Sequence, residues 1–162
     1  MTDTTVAEQK QTLLDIVCDI RIAMMATLDT EGQLRSRPMA CAAVGTAGPG
    51  GELWFFTRAP SPKTDEIVRY GAVNLAFADA DAMTFLSVSG TAEIVRDTNL
   101  MKEFWRDILK TWFPQGTADP ELALLRIDIS KAEYWDGATG EMADLEAQAP
   151  ATRPEQPYHM VI

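Results

Sequence analysis

The sequence predicts a mainly β domain, an antiparallel sheet curled into a small barrel with helices on its flank. Three observations predict it. Short apolar runs of strand length recur along the chain, each closed by a turn signal such as Asp29-Thr30-Glu31-Gly32. The connections between most neighbouring runs are too short for a crossover, so those strands run antiparallel. The helical segments stand at the start and between groups of strands, and do not alternate with them as in a parallel sheet.

Thr5-Val6-Ala7-Glu8 has capping-box spacing, and Leu13, Leu14, Ile16 and Val17 follow at helical intervals, which predicts a helix over 6–19. Strands are predicted over 22–28, 33–44 and 53–58. The segment Gly45–Gly51, with four glycines and a proline, forms the hairpin loop between the last two. Ser61-Pro62-Lys63 reads as an N-cap followed by proline at the first helical position, opening a short helix to about Tyr70. Two further strands are predicted over 73–78 and 83–96, the second interrupted at Gly90. Leu100, Phe104, Ile108 and Trp112 at four-residue spacing predict one helix over 99–113, ended by Pro114. Strands over 122–129 and 132–135 complete the ordered part. Residues 1–146 form one domain, and the proline-rich stretch 147–162 reads as a loose tail.

The bulk charge removes several function classes. With 24 acidic against 14 basic side chains, the net charge is −10. Nucleic acid and anionic membranes both call for a basic face, so neither is expected as a partner. No apolar run approaches the ~20 residues of a membrane span, and the polar N-terminus is unlike a signal peptide, so a cytoplasmic protein is expected. Cys18 and Cys41 lack metal or redox spacing and read as free thiols. The one histidine, His159, lies in the tail, which argues against an imidazole-based metal centre or triad.

Against this acidic background, Arg35 to Lys63 is locally basic. Arg35, Arg37, Arg58 and Lys63 fall at strand ends and at a helix start, together with the hydroxyls of Thr57 and Ser61. A helix N-terminus offers unpaired N–H groups to an anion, and a guanidinium beside it adds a two-pronged contact. Taken singly, Ser61 is a helix cap, and Arg37 and Lys63 are solvated charges. As a set at this spacing they read as a cradle for a phosphate monoester, with the aromatic run 54–56 beside it for a planar ring. The glycine-rich loop 45–51 lacks a following Gly-Lys-Ser/Thr and is no nucleotide loop. Trp112-Phe113 and Tyr134-Trp135 fit core packing or a dimer seam, or alternatively a stacking wall.

Arg37-Pro38-Met39, the run Phe56 to Lys63, Ser89-Gly90-Thr91-Ala92-Glu93 and Glu133-Tyr134-Trp135-Asp136-Gly137 together resemble the pyridoxamine 5′-phosphate oxidase-like superfamily. Trp112-Phe113-Pro114-Gln115-Gly116 followed by Asp119-Pro120 resembles its general stress protein 26 branch. The resemblance implies a six-stranded split β-barrel and a homodimer with FMN (or FAD) in a groove at the subunit interface. By position, Arg37 and Lys63 would bind the FMN phosphate with help from Thr57 and Ser61. Pro38, Met39 and Phe56 would line the flavin by their backbone, Trp112 and Phe113 would flank its ring, and Trp135 would approach from the partner subunit. The oxidases' further lysine and their Arg-x-His-x-Arg pattern fall here on Ala42, Glu141, Ala143 and Leu145, so vitamin-B6 oxidation is not expected. A flavin-dependent oxidoreductase of low specificity is the leading expectation, with a non-catalytic flavin-binding module as the alternative. The deazaflavin F420 of related barrels ranks below both, because its acidic tail would want more cations than this chain supplies.

Overall fold

The computed structural model describes residues 6–45, 50–137, 140–145 and 158–162. The helix α1 (Val6–Ile20) precedes β1 (Ile22–Leu28), β2 (Leu34–Val44) and β3 (Glu52–Arg58). After α2 (Pro62–Arg69) come β4 (Ala72–Asp79), β5 (Thr84–Val95) and α3 (Thr98–Phe104). A long β6 (Leu122–Asp136), β7 (Glu141–Leu145) and a two-residue β8 (His159–Met160) follow. Pairing in the order β1-β4-β5-β6-β3-β2, with β2 returning to β1, closes a six-stranded antiparallel barrel. The predicted fold class is therefore correct.

The alternation along each strand sets two cores. Ala23, Met25, Cys41, Leu53, Phe55, Leu75, Phe77, Leu86, Val88 and Leu125 fill the barrel interior, and α1 closes it with Leu13, Ile16 and Val17. On the outside of β3 and β6 a second cluster joins Trp54, Phe56, Leu122 and Leu124 to Met101, Phe104 and Leu109. Strand β3 thus buries both faces, which is why it reads as an unbroken apolar run. Both thiols are free, and burial pushes that of Cys41 up to about 12.

Three expectations need correction. The helix predicted over 99–113 stops at Phe104; Trp105 is extended, and the chain resumes as a 3-10 turn over Asp107–Thr111. Trp105 packs edge-on against Phe56, and this contact takes the chain out of helical geometry. Consequently Leu109 is buried while Ile108 and Trp112 face out, one residue out of the expected frame. The strands predicted over 122–129 and 132–135 are one strand. Ser130 is the extra residue of a bulge opposite Ser89 and Gly90, and its hydroxyl donates to the Ser89 carbonyl at 3.0 Å. Gly90 is required there, because a Cβ would stand 2.2 Å from the Asp128 carbonyl oxygen.

The third correction concerns the tail. Residues 158–162 dock on the barrel: β8 pairs with Ala43 and Val44 of β2, Val161 is buried, and the Tyr158 ring packs edge-on against Phe104 (4.9 Å) and Trp54 (6.0 Å). The predicted cap at Thr5, most of the 45–51 loop and the stretch 146–157 lie outside the described residues.

Candidate functional site

The site is built where the barrel wall comes apart. Strands β2 and β3 pair from Val44↔Leu53 to Cys41↔Phe55, across a bulge, and no pair joins 38–40 to 56–58. The Cys41 N–H donates to the Arg21 carbonyl on the β1 side, so the alternate residues Ala40 and Pro38 turn their main chain toward β3. Proline has no N–H to offer there, and the ladder fails. Across the gap, the Ala59 N–H donates to Glu121, so Phe56 and Arg58 turn their main-chain groups into the same seam. A cavity of about 480 Å³ occupies this seam, within the range of small-molecule sites.

Its walls gather most of the sequence-predicted residues. Pro38, Met39, Phe56, Thr57, Ser61 and Lys63 line it, and Trp112 and Phe113 close one side with Leu109. Ser61 caps α2 as expected: its Oγ accepts from the Thr64 N–H at 3.2 Å, and its own N–H donates to Thr64 Oγ1 at 2.7 Å. The Ser61 Oγ also lies 3.2 Å from Thr64 Oγ1, where either hydroxyl can donate, so an anion would take the Ser61 proton in place of that contact while the backbone cap stays. The Thr57 side chain is buried, and its hydroxyl makes one long contact, 3.4 Å, to the Arg58 carbonyl.

Lys63 is half-buried, and burial together with the nearby Arg37 charge holds its pKa below the ordinary lysine value. Among the described residues no carboxylate lies within ion-pair distance of its ammonium. A cation in an apolar-walled cavity without a counter-charge is a site that an anion completes.

Arg37 takes a different position from the one expected. Its side chain lies on the inner face of β2, where Nη2 contacts Glu66 Oε2 at 3.2 Å and Nη1 donates to Thr27 Oγ1 and to the Met25 carbonyl. It is absent from the cavity wall, although its charge is felt by Lys63. Trp135 is also absent. It pairs with Phe85 and Met142 near the far end of β6, whereas Leu122 at the near end pairs with Arg58 beside the cavity. The intervening strand is about 40 Å long if extended.

Sequence reasoning grouped Arg58 with the cradle's cations and missed its role in organising the rim. Arg58 pairs with buried Asp119 at 3.1 Å, donates to the Trp112 carbonyl at 3.4 Å, and places its guanidinium over the Phe113 ring at 5.6 Å. It thereby hangs the aromatic rim on the end of β3. Glu66 and Thr27, both buried, were likewise passed over. Their signals were present: Thr27 is polar on the inward phase of β1, and Glu66 lies one helical turn after Lys63.

No helix among the described residues is long and apolar enough to cross a membrane, and no cluster of metal-ligand type occurs among them. A family model for pyridoxamine 5′-phosphate oxidase-like proteins matches residues 8–152. Protein bli-3 of Neurospora crassa is 34% identical over 137 residues, which is 77% of this chain and 65% of that protein. The chain thus spans about two thirds of the length of that curated relative. The crystal structure of a general stress protein 26-related protein from Clostridium acetobutylicum superposes with a TM-score of 0.72 at 18% identity, over 90% of this chain and 96% of the other. The general stress FMN/FAD binding protein of Xanthomonas citri superposes with a TM-score of 0.67 at 26% identity, over 91% and 99%. The chain belongs to the pyridoxamine 5′-phosphate oxidase-like family, and its fold is that family's split barrel.

Proposed function

We propose that the seam between β2 and β3 binds a flavin nucleotide, FMN first and FAD as its larger form, and that the protein uses it in oxidoreduction. The observation that carries this reading is Lys63, a half-buried ammonium without a carboxylate partner among the described residues, in a cavity whose other walls are mainly apolar and aromatic, with the polar side chains of Thr57, Arg58 and Ser61 among them. Lys63 and the Ser61 and Thr57 hydroxyls offer donors for a phosphate, with Arg37 behind them. The main-chain groups of Pro38, Ala40, Phe56 and Arg58 that turn into the seam suit the polar edge of a planar ring, and Phe113 and Trp112 suit its faces. That a relative of 26% identity is a general stress FMN/FAD binding protein supports the same ligand.

Bound there, the flavin would supply hydride and electron transfer, and the chain would supply placement and polarity. Ser61 and Lys63 would fix the phosphate end, Arg58 would hold Phe113 and Trp112 against the ring, and the apolar rim would exclude water. A homodimer belongs to this proposal, because Trp135 can reach such a ring only from a second copy. The absence of the oxidases' lysine supports separation from vitamin-B6 oxidation: Ala42 fills that position and is buried in the second core.

One observation favours a second reading, flavin storage without turnover. Among the lining residues there is no carboxylic acid, imidazole or thiol to move a substrate proton. Titration of the purified full chain with FMN tests the main reading. Binding should perturb the flavin's visible spectrum and quench its fluorescence, and NAD(P)H should then reduce it with turnover in air. Bound but inert flavin would favour storage, and an unperturbed spectrum at saturating FMN would reject both.

A further inference from the structure

The buried carboxylate beneath the cradle has no part in holding an anion, yet it is tied to the cradle's arginine. Glu66 lies three residues after Lys63 on α2, and its side chain is 7% exposed. Its Oε2 accepts from Thr27 Oγ1 at 2.6 Å and lies 3.2 Å from Arg37 Nη2, while Oε1 is 3.7 Å from Arg35 Nη1. The donor contacts of Arg37 all run to Glu66, Thr27 and Met25, and none runs toward the cavity. Arg37 is nonetheless close enough to depress the Lys63 pKa.

We propose that Glu66 is a built-in competitor for the phosphate, occupying Arg37 until a ligand draws the guanidinium across, and so determines how strongly the site discriminates phosphorylated from unphosphorylated flavin. The inference rests on the flavin reading above and adds a residue to it. Arg35, Arg37 and Lys63 carry three positive charges and Glu66 one negative, a net of +2 that matches the −1.5 to −2 of a phosphate monoester at neutral pH. An incoming dianion gains Lys63 directly, but it gains Arg37 only by sharing it with a carboxylate that repels the dianion. A fixed anion of this kind lowers affinity for the doubly charged ligand and leaves an uncharged one untouched, which keeps FMN exchangeable.

The test uses the full chain with FMN and riboflavin as probes, the latter lacking the phosphate. In Glu66→Gln the side chain keeps its shape and can still accept from Thr27, but Arg37 loses its ionic partner and keeps only its neutral contacts to Thr27 and Met25. FMN should bind roughly tenfold tighter, riboflavin should be unchanged, and the preference for FMN should rise by the same factor. Glu66→Asp keeps the charge, and its FMN preference should stay near that of the parent. Circular dichroism and riboflavin affinity report whether each variant is folded. Weaker FMN binding in Glu66→Gln with riboflavin retained would make Glu66 an orienting partner of Arg37 and overturn the proposal, as would an unchanged ratio. If the parent protein binds neither flavin, the flavin reading itself fails, an outcome distinguishable from either of these.

Discussion

Arg58 and Asp119 form a 3.1 Å ion pair that ties the end of β3 to the loop entering β6, and the rim of the cavity hangs from it. Asp119 is buried, and its second oxygen accepts from the Glu121 N–H at 2.9 Å, so its carboxylate is satisfied on both sides. Arg58 is more open, which limits what the pair contributes to stability.

Asp119→Ala should therefore loosen the rim more than it unfolds the barrel. We expect a loss of about 1 kcal/mol in urea denaturation, because the Arg58 guanidinium left unmet is open to water. Phe113 and Trp112 lose their anchor at the same time, so flavin should dissociate faster from the variant, measured by stopped-flow recovery of flavin fluorescence.

Lys63 gives a pH signature. Its folded pKa lies below the unfolded value, so the unfolded chain binds more protons between the two, and stability rises with pH across that window. The burden is fully present at neutral pH and is relieved as pH climbs through the folded pKa toward the unfolded one. Lys63→Met should abolish this rise and leave the ligand-free protein no less stable at pH 7. The same variant should bind FMN at least tenfold more weakly, since a charge-assisted bond contributes about 1.5–3 kcal/mol, with riboflavin affinity retained. Parallel urea melts from pH 7 to 10 and a pair of flavin titrations check both halves.

The β6 bulge sets a steric limit. Gly90→Ala places a methyl group against the Asp128 carbonyl oxygen, a backbone atom that cannot swing aside. We expect about 1–3 kcal/mol of destabilisation, the usual cost of overpacking, read as a lower thermal midpoint. An unchanged midpoint would mean that the bulge moves along the strand.

How much of this was legible in the sequence follows from the range of the interactions. Strands β1 to β5 were readable because alternation and turn residues act within a few positions, and α2 because Ser61-Pro62 caps locally. The end of α3 was not, since the spacing of Phe104 and Ile108 is helical and only the contact of Trp105 with Phe56, far off in sequence, interrupts it. The cavity residues between 38 and 63 were found because they come from adjacent strands and the helix that follows. Glu66 holding Arg37 could not be inferred from spacing alone, because a carboxylate at a helix turn is usually a solvated one. The docking of residues 158–162 was hidden by their proline-rich approach.

That docking is itself testable. The Tyr158 ring meets both Trp54 and Phe104, and ring pairs of this kind contribute about 0.5–1.5 kcal/mol each. Tyr158→Ala should cost about 1–3 kcal/mol and alter the emission of buried Trp54. A loose tail would leave both unchanged.

Trp135 carries the last prediction, which tests the dimer within the proposed function. Its indole is 38% exposed, beside Phe85, at the opposite end of β6 from the cavity. If it completes a flavin site, it does so on a second subunit, so Trp135→Ala should weaken FMN without disturbing Lys63 or the rim. Subunit mixing makes this decisive. Lys63→Met and Trp135→Ala chains each lack one half of every site in their own homodimers. Refolded together, they form heterodimers in which one cavity has both its lysine and a facing tryptophan. Tight FMN binding should reappear in the mixture and be absent from either variant alone. A mixture that binds no better than its components would place Trp135 outside the site.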